Sequence, residues 1–254
     1  MSRSATIADK GTSGVRRAVV LAGGRGTRLV PLTVAFPKPL VPIGDVPILD
    51  ILVRQLEAAG VERITMAVGH LAELIMAYFS GGNRGVAIDY SREDQPLGTA
   101  GPLTLVPDLD ERFLVMNGDV LCSIDYNDMV RRHVESGACA TVAAYTKQVQ
   151  SDFGVLEVDE RGQLLAYHEK PTQTVTVSMG IYVLEPEVLE LLAPGERCDL
   201  PDLVSRILGA HKPLYVYPFD GYWLDIGRPE DYARAVEEFD ELRPRLLPGC
   251  GETT

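Results

Sequence analysis

Between Arg17 and Thr146, short unbroken apolar runs alternate with segments of helical apolar spacing, and this alternation narrows the fold more than any other feature of the chain. A run of five or six apolar residues closed by turn residues suits a strand buried on both faces. Such strands belong to parallel sheets covered by helices. Arg17–Ala22 is one, ending in Gly23-Gly24; Arg63–Val68 is a second; Arg112–Met116 is a third, ending in Asn117-Gly118-Asp119. Pro47–Ala59 has helical spacing, with proline at its start and Gly60 behind it. Ala72–Phe79 and Asp125–Ser136 read as further helices, Gly98–Val106 as a short one, and Val86–Tyr90 and Ala140–Thr146 as strands.

The pattern then changes. Val155–Val158 and Gln163–Glu169 form a hairpin around Asp159–Gly162, followed by strands at Val175–Leu184 and Leu214–Tyr217. Helices are expected at Pro186–Leu192, Leu200–Leu208 and from Pro229 to about Leu242. The expectation is an α/β domain on a mostly parallel sheet with a β-rich second portion. In such sheets a ligand sits at the carboxyl ends of the strands, where both glycine-bearing loops lie.

Residues 1–14 are rich in small polar types without periodicity, and 243–254 carry Pro244, Pro248, Gly249 and Gly251; both are expected to be flexible tails flanking one domain over residues 15–242. With 36 acidic and 24 basic residues the net charge is -12, so the surface repels nucleic acid and anionic lipid. No apolar run approaches the roughly 20 residues of a membrane span, and Met1–Gly14 lacks the apolar core of a signal peptide. Cys122, Cys139, Cys198 and Cys250 are scattered with no paired spacing, which reads as reduced thiols in a cytoplasmic protein.

An acidic chain that binds an anion must do so with placed groups. Leu21-Ala-Gly-Gly-Arg-Gly-Thr-Arg28 follows a predicted strand, and its free N–H groups form an anion nest. Arg25 and Arg28 add guanidinium donors, and Lys38 stands between Pro37 and Pro39 on a stiff segment. A lone glycine turn is more often a tight strand-to-loop connection. The spacing matches neither a P-loop nor a dinucleotide fingerprint, which weakens an oxidoreductase reading.

Taken in order, Gly24-Arg-Gly-Thr-Arg-Leu29, Pro37-Lys38-Pro39, Pro96-Leu-Gly-Thr-Ala-Gly101, Asn117-Gly-Asp119, Phe153-Gly154, Glu169-Lys170-Pro171, Gly180-Ile-Tyr182 and Trp223-Leu-Asp-Ile-Gly227 resemble the signature of the sugar-phosphate nucleotidyltransferases, the NDP-sugar pyrophosphorylases. The likeness runs from about Arg17 to Phe239 and is strongest to mannose-1-phosphate guanylyltransferases. It implies a Rossmann-like core with a β-rich sugar-binding portion and Mg²⁺-dependent transfer of a nucleotidyl group from an NTP onto a sugar 1-phosphate. It also implies a homo-oligomer, a dimer or tetramer, with no nucleic acid or membrane partner. By this likeness Asp119 and Asp225 hold the metal, and Arg28 and Lys38 hold the β- and γ-phosphates. Leu21, Ala22, Gly23, Gly24, Gly26, Thr27, Pro96, Gly98 and Thr99 contact the nucleotide. Lys170 holds the sugar's phosphate, Glu169 accepts from sugar hydroxyls, and Asn117, Gly118, Gly154, Ser178 and Gly180 line the sugar side, Gly154 by letting the ring lie against backbone.

Two anionic substrates repel each other, so cations and in-line positioning do the work. The attacking phosphate oxygen is already charged, and no Ser-His-Asp arrangement is required. His70, His133, His168 and His211 accordingly read as surface or partly packed imidazoles. Asp125 and Asp128 suit a helix start. Glu93 is the candidate base reader: a carboxylate only accepts hydrogen bonds, and guanine offers adjacent N1–H and N2–H donors. Many family members carry Asn-x-Gly where this chain has Ser178-Met-Gly180, which leaves the sugar open. The alternatives are a thymidylyl- or uridylyltransferase acting on glucose 1-phosphate, or a regulatory subunit that binds nucleotide sugar without catalysis.

Overall fold

The structure is a computed structural model, described here for residues 14–81 and 84–247. A seven-stranded sheet forms its centre. In chain order the strands are β1 (Arg17–Leu21), β2 (Pro42–Ile43), β3 (Val46–Pro47), β4 (Arg63–Val68), β5 (Ala87–Arg92), β6 (Phe113–Asn117), β7 (Val120–Cys122), β8 (Ala140–Gln150), β9 (Val155–Val158), β10 (Leu164–His168), β11 (Thr172–Leu184), β12 (Leu214–Phe219) and β13 (Trp223–Asp225). The large sheet runs β12-β8-β11-β6-β1-β4-β5. β11 is antiparallel to both its neighbours, while the other pairs are parallel, so the sheet is mostly parallel as expected.

Residues alternate between the two faces of each strand, and the cores follow. Ala18 and Val20 of β1 join Ile64, Met66, Leu114 and Met116 under helices α1 (Ile48–Ala58), α2 (Ala72–Phe79) and α3 (Tyr126–Ser136). Val19, Phe113 and Val115 turn to the opposite face, against Leu103 and Val106 and against Leu203 and Ile207 of α4 (Leu200–Gly209). A third cluster joins Ile48 and Ile51 of α1 to Leu121, Leu224, Ile226 and Phe239 of α5 (Pro229–Leu246). Asp125 caps α3 by accepting the Asp128 N–H at 3.0 Å, as its sequence position suggests.

Several boundaries differ from the sequence expectation. α5 continues through Pro244 to Leu246, and Leu246 and Leu247 are buried, because they complete the third cluster. The expected break at 242 therefore falls inside a packed helix; the rest of that segment, 248–254, and residues 1–13 lie outside the described residues. Gly101–Leu105 and Pro186–Leu191 are 3₁₀ turns, each with proline early in the turn. β8 and β11 extend past the core to Gln150 and back to Thr172 as a long two-stranded arm, with the β9–β10 hairpin between them. His133 is fully buried: its Nδ1 lies 2.7 Å from Thr141 Oγ1 and its Nε2 3.1 Å from Glu185 Oε1.

Candidate functional site

Four parallel strands end on one side of the sheet, and their loops enclose an open cavity of about 770 Å³. The loop after β1 contributes Ala22–Arg28, the loop after β4 Gly69 and His70, the loop after β5 Glu93–Thr99, and β6 leads into Asn117 and Asp119. Chain order reverses at β1, whose two neighbours are β4 and β6, so the cavity sits at the switch point of the sheet. Backbone bonds fix its floor: Ala22 N–H donates to Ala67 C=O at 2.8 Å, and Gly118 N–H to Leu21 C=O at 2.9 Å.

The three glycines of the first loop do different things. A side chain at Gly23 would meet Glu93 Oε1 at 2.6 Å, and one at Gly26, where φ is +62°, would meet Lys38 Cβ at 2.9 Å and Thr33 Cγ2 at 3.0 Å. Those two are glycine so that protein can close up behind the loop. Only Gly24 of the three faces open space, the condition for a ligand to approach backbone.

The predicted carboxylate pair is brought together by a small sheet with no signature in the sequence. β7 and β13 pair antiparallel, with Asp225 opposite Val120, and Ile226 N–H donates to Asp119 C=O at 3.2 Å. Lys38 forms an ion pair with Asp119. A side chain at Gly227 would stand 3.7 Å from Asp225 and 3.8 Å from an Arg28 guanidinium nitrogen, so Arg28 flanks the same point. Asp225 still reaches solvent, but the surrounding cleft desolvates its carboxyl. That effect first, and the Asp119 charge second, raise its pKa above the ordinary carboxylate value, against the pull of Lys38 and Arg28. Among the described residues no cluster of three or more His, Cys, Asp or Glu offers a metal cage. Two carboxylates beside an anion loop, to be completed by phosphate oxygens and water, are the donor set that Mg²⁺ takes, so the residues fit such an ion.

Glu93 lines the cavity. Its Oε2 accepts the Leu97 N–H at 2.9 Å, and its Oε1 lies against the Gly23 and Gly69 backbone. Pro96, Gly98 and Thr99 line the same end. Ala67, Gly69 and His70 also line the cavity, and the sequence reading did not single them out as contacts. The signal was their place at the end of a buried strand, which a lone Gly-His does not advertise.

The sugar-side candidates form a second group outside that cavity lining, apart from Asn117. Ser178 and Gly180 sit on a bulge of β11, where Ser178 Oγ lies 3.0 Å from Tyr182 Oη. Gly180 has φ +75°, and a side chain there would strike Asn117 Nδ2 at 2.5 Å, so this glycine seats the Asn117 amide. Trp223 Nε1–H donates to Met179 C=O at 3.2 Å, tying the bulge to the strand that carries Asp225. Glu169 and Lys170 follow β10, and Tyr167 O–H donates to Glu169 Oε2 at 2.8 Å. The space opposite Gly154 is taken by the Tyr167 ring and hydroxyl, which gives this glycine a packing reason of its own.

The sequence profile of the nucleotidyl transferase family matches residues 17–241. A UTP–glucose-1-phosphate uridylyltransferase of Synechocystis sp. is 36% identical, over 92% of this chain and 66% of that protein. A mannose-1-phosphate guanyltransferase of Candida albicans is 35% identical, over 85% of this chain and 62% of that protein. The chain therefore spans just under two thirds of these curated relatives. The crystal structure of HddC from Yersinia pseudotuberculosis complexed with GMP-PN superposes with a TM-score of 0.67 at 28% identity, covering 89% of this chain and 100% of that one.

Proposed function

Because this chain belongs to the nucleotidyl transferase family, we propose that it transfers a nucleotidyl group from an NTP to a sugar 1-phosphate and releases pyrophosphate. GTP is the favoured donor, and mannose 1-phosphate or a related hexose or heptose 1-phosphate the acceptor. The observation that carries the reading is the β7–β13 pairing, which joins the Asp119 and Asp225 segments beside Lys38, Arg28 and the open Gly24 loop.

The NTP enters with its phosphates against the Gly23–Thr27 backbone. Arg28 and Lys38 take the β- and γ-phosphates, Lys38 leaving Asp119 to do so, and they stabilise the departing pyrophosphate. Lys170 holds the sugar's phosphate and Glu169 its hydroxyls, with Asn117, Gly118, Gly154, Ser178 and Gly180 on the sugar side. Asp119 and Asp225 would hold Mg²⁺, which when bound screens phosphate charge and makes the α-phosphorus more electrophilic. An oxygen of the sugar phosphate bonds to the α-phosphorus while the bridging bond to the β-phosphate breaks. That oxygen is anionic at neutral pH, so no side chain need remove a proton.

Glu93, which lines the cavity, supports the choice of GTP, since guanine presents two adjacent donors to a carboxylate that also accepts the Leu97 N–H. The Synechocystis relative favours a second reading, UTP with glucose 1-phosphate. We also read the protein as a cytoplasmic dimer or tetramer. Pyrophosphate release across all NTPs and several sugar 1-phosphates, with Mg²⁺ and with chelator, tests these points together. GTP with mannose 1-phosphate and Mg²⁺ is expected to lead; UTP with glucose 1-phosphate leading selects the second reading; no release from any pair overturns both.

A further inference from the structure

The cavity loop that carries Pro96, Gly98 and Thr99 is held from two sides. At one end Glu93 accepts the Leu97 N–H. Along its length it is bound to the segment just ahead of α4, 100 positions away in sequence. Cys198 N–H donates to Leu97 C=O at 2.9 Å, and Cys198 C=O accepts from Ala100 N–H and Gly101 N–H at 2.9 and 3.0 Å. Asp199 Oδ1 accepts the Thr99 N–H at 3.0 Å and the Thr99 hydroxyl at 3.3 Å, and the hydroxyl oxygen accepts the Leu200 N–H at 2.8 Å.

The glycines of this loop are explained by the same contact. Gly98 has φ +82°, and a side chain there would stand 2.5 Å from Cys198 O and 2.7 Å from Asp199 Oδ1. A side chain at Gly101 would overlap the Glu196 carbonyl. Both are glycine to admit the Cys198–Asp199 strap, whereas Gly24 faces open space. Asp199 also caps α4 in a reciprocal box with Asp202, and α4 is anchored in the core by Leu203 and Ile207. One carboxylate thus transmits the position of a core helix to the rim of the cavity.

The geometry points to Asp199 as a positioning residue for nucleobase selection, an inference that rests on the cavity being the NTP site. It acts through Thr99 and the Pro96–Gly98 backbone and touches no substrate itself. A charged acceptor holds its donors more firmly than a neutral one, so its loss loosens the loop at Thr99 while the Cys198 backbone bonds still hold Leu97, Ala100 and Gly101.

Asp199→Ser separates cap from strap, because serine is as good a cap as aspartate but is too short to reach Thr99 while capping. Binding of GTP and of UTP is measured by calorimetry on wild type, D199S and D199N, alongside both substrate KM values. For D199S, GTP binding is expected to weaken about tenfold and the GTP/UTP ratio to shrink, with the KM for sugar 1-phosphate unchanged. D199N, which keeps an oxygen acceptor of the same reach, is expected to stay within about threefold of wild type. Wild-type GTP binding by D199S, or equal rises in both KM values, overturns the inference. Should D199S fail to fold, Thr99→Val keeps the Asp199–Asp202 box and the Asp199 bond to the residue 99 N–H, gives up only the hydroxyl shared by Asp199 and Leu200, and is expected to shrink the GTP/UTP ratio in the same direction; no shift overturns the inference equally. A wild-type protein that binds no nucleotide removes the functional reading and this one with it, whereas a silent D199S removes this one alone.

Discussion

The loops around the cavity and the strands that lead to Glu169 and Lys170 are held by different forces. The first hang from β1, β4, β5 and β6, where Ala18, Val20, Ile64, Met66 and Met116 are buried and glycines let backbone meet backbone. The second rest on the outer parts of β8 and β11 and on the β9–β10 hairpin, where Phe153, Leu156, Val158, Leu164, Leu165 and Tyr167 are all more than half exposed. A lone two-stranded hairpin is marginal in water. One half of the proposed site is therefore pre-organised by a core, and the other is held mainly by ladder hydrogen bonds and a few side-chain contacts such as Tyr167 to Glu169.

The sharpest break of that contrast is chemical. Asp225→Ala is expected to lower the pyrophosphate-release rate by about a thousandfold with the unfolding midpoint unchanged, since on the proposed reading the carboxyl would hold the metal ion that offsets phosphate charge, and it fills no core. A variant that keeps a tenth of the rate would remove Asp225 from the chemistry. Steric changes come next. Gly101→Ala sets a methyl against the Glu196 carbonyl, backbone on backbone, and is expected to cost about 1–3 kcal/mol in urea unfolding and weaken NTP binding. Gly154→Ala meets only the outer end of exposed Tyr167, which can swing away at the loss of its hydrogen bond to Glu169, so its cost is expected below about 1 kcal/mol. Equal losses would erase the distinction between the two halves.

Lys170→Ala sharpens the comparison from the other side. It is expected to raise the KM for sugar 1-phosphate about tenfold and leave that for NTP unchanged, by analogy with the loss of one charge-assisted hydrogen bond. The smallest effect belongs to His133, on the core side. Burial holds its pKa below the ordinary 6.5, with the Arg112 charge adding to burial and Glu185 opposing both. The stability this protects is whole above that ordinary value and falls as pH drops below it, because the unfolded chain takes up a proton that the folded state resists. Urea unfolding at about pH 8 and about pH 5.5 checks the slope, and His133→Gln is expected to flatten it.

Where hydrophobic period and end signals coincide, the fold could be read in advance. β4 and α2 have the boundaries expected for them, and α1 starts just after Pro47 and stops before Gly60 as its flanking residues indicate. The cavity residues from Leu21 to Arg28, with Pro96, Gly98 and Thr99, were legible because glycine, arginine and proline are informative at strand ends. The β2–β3 and β7–β13 pairs were not, since strands of two or three residues carry no period. The outer arm escaped because Thr172-Gln-Thr-Val-Thr-Val177 alternates without a buried face. Gly98 reads as a ligand-facing residue, and nothing local reveals that its crowding partner, like that of Gly101, is a segment far along the chain.

The join between β7 and β13 also sets a schedule. During synthesis the glycine loop and the strands beneath it leave the ribosome with the first half of the chain, yet Asp119 gains its counterpart only once residues 223–226 have emerged and zipped onto Val120–Cys122. Until then the growing polypeptide has the glycine cradle without its second carboxylate, so a site that needs both is completed by residues 223–226 and not by the strands that come first.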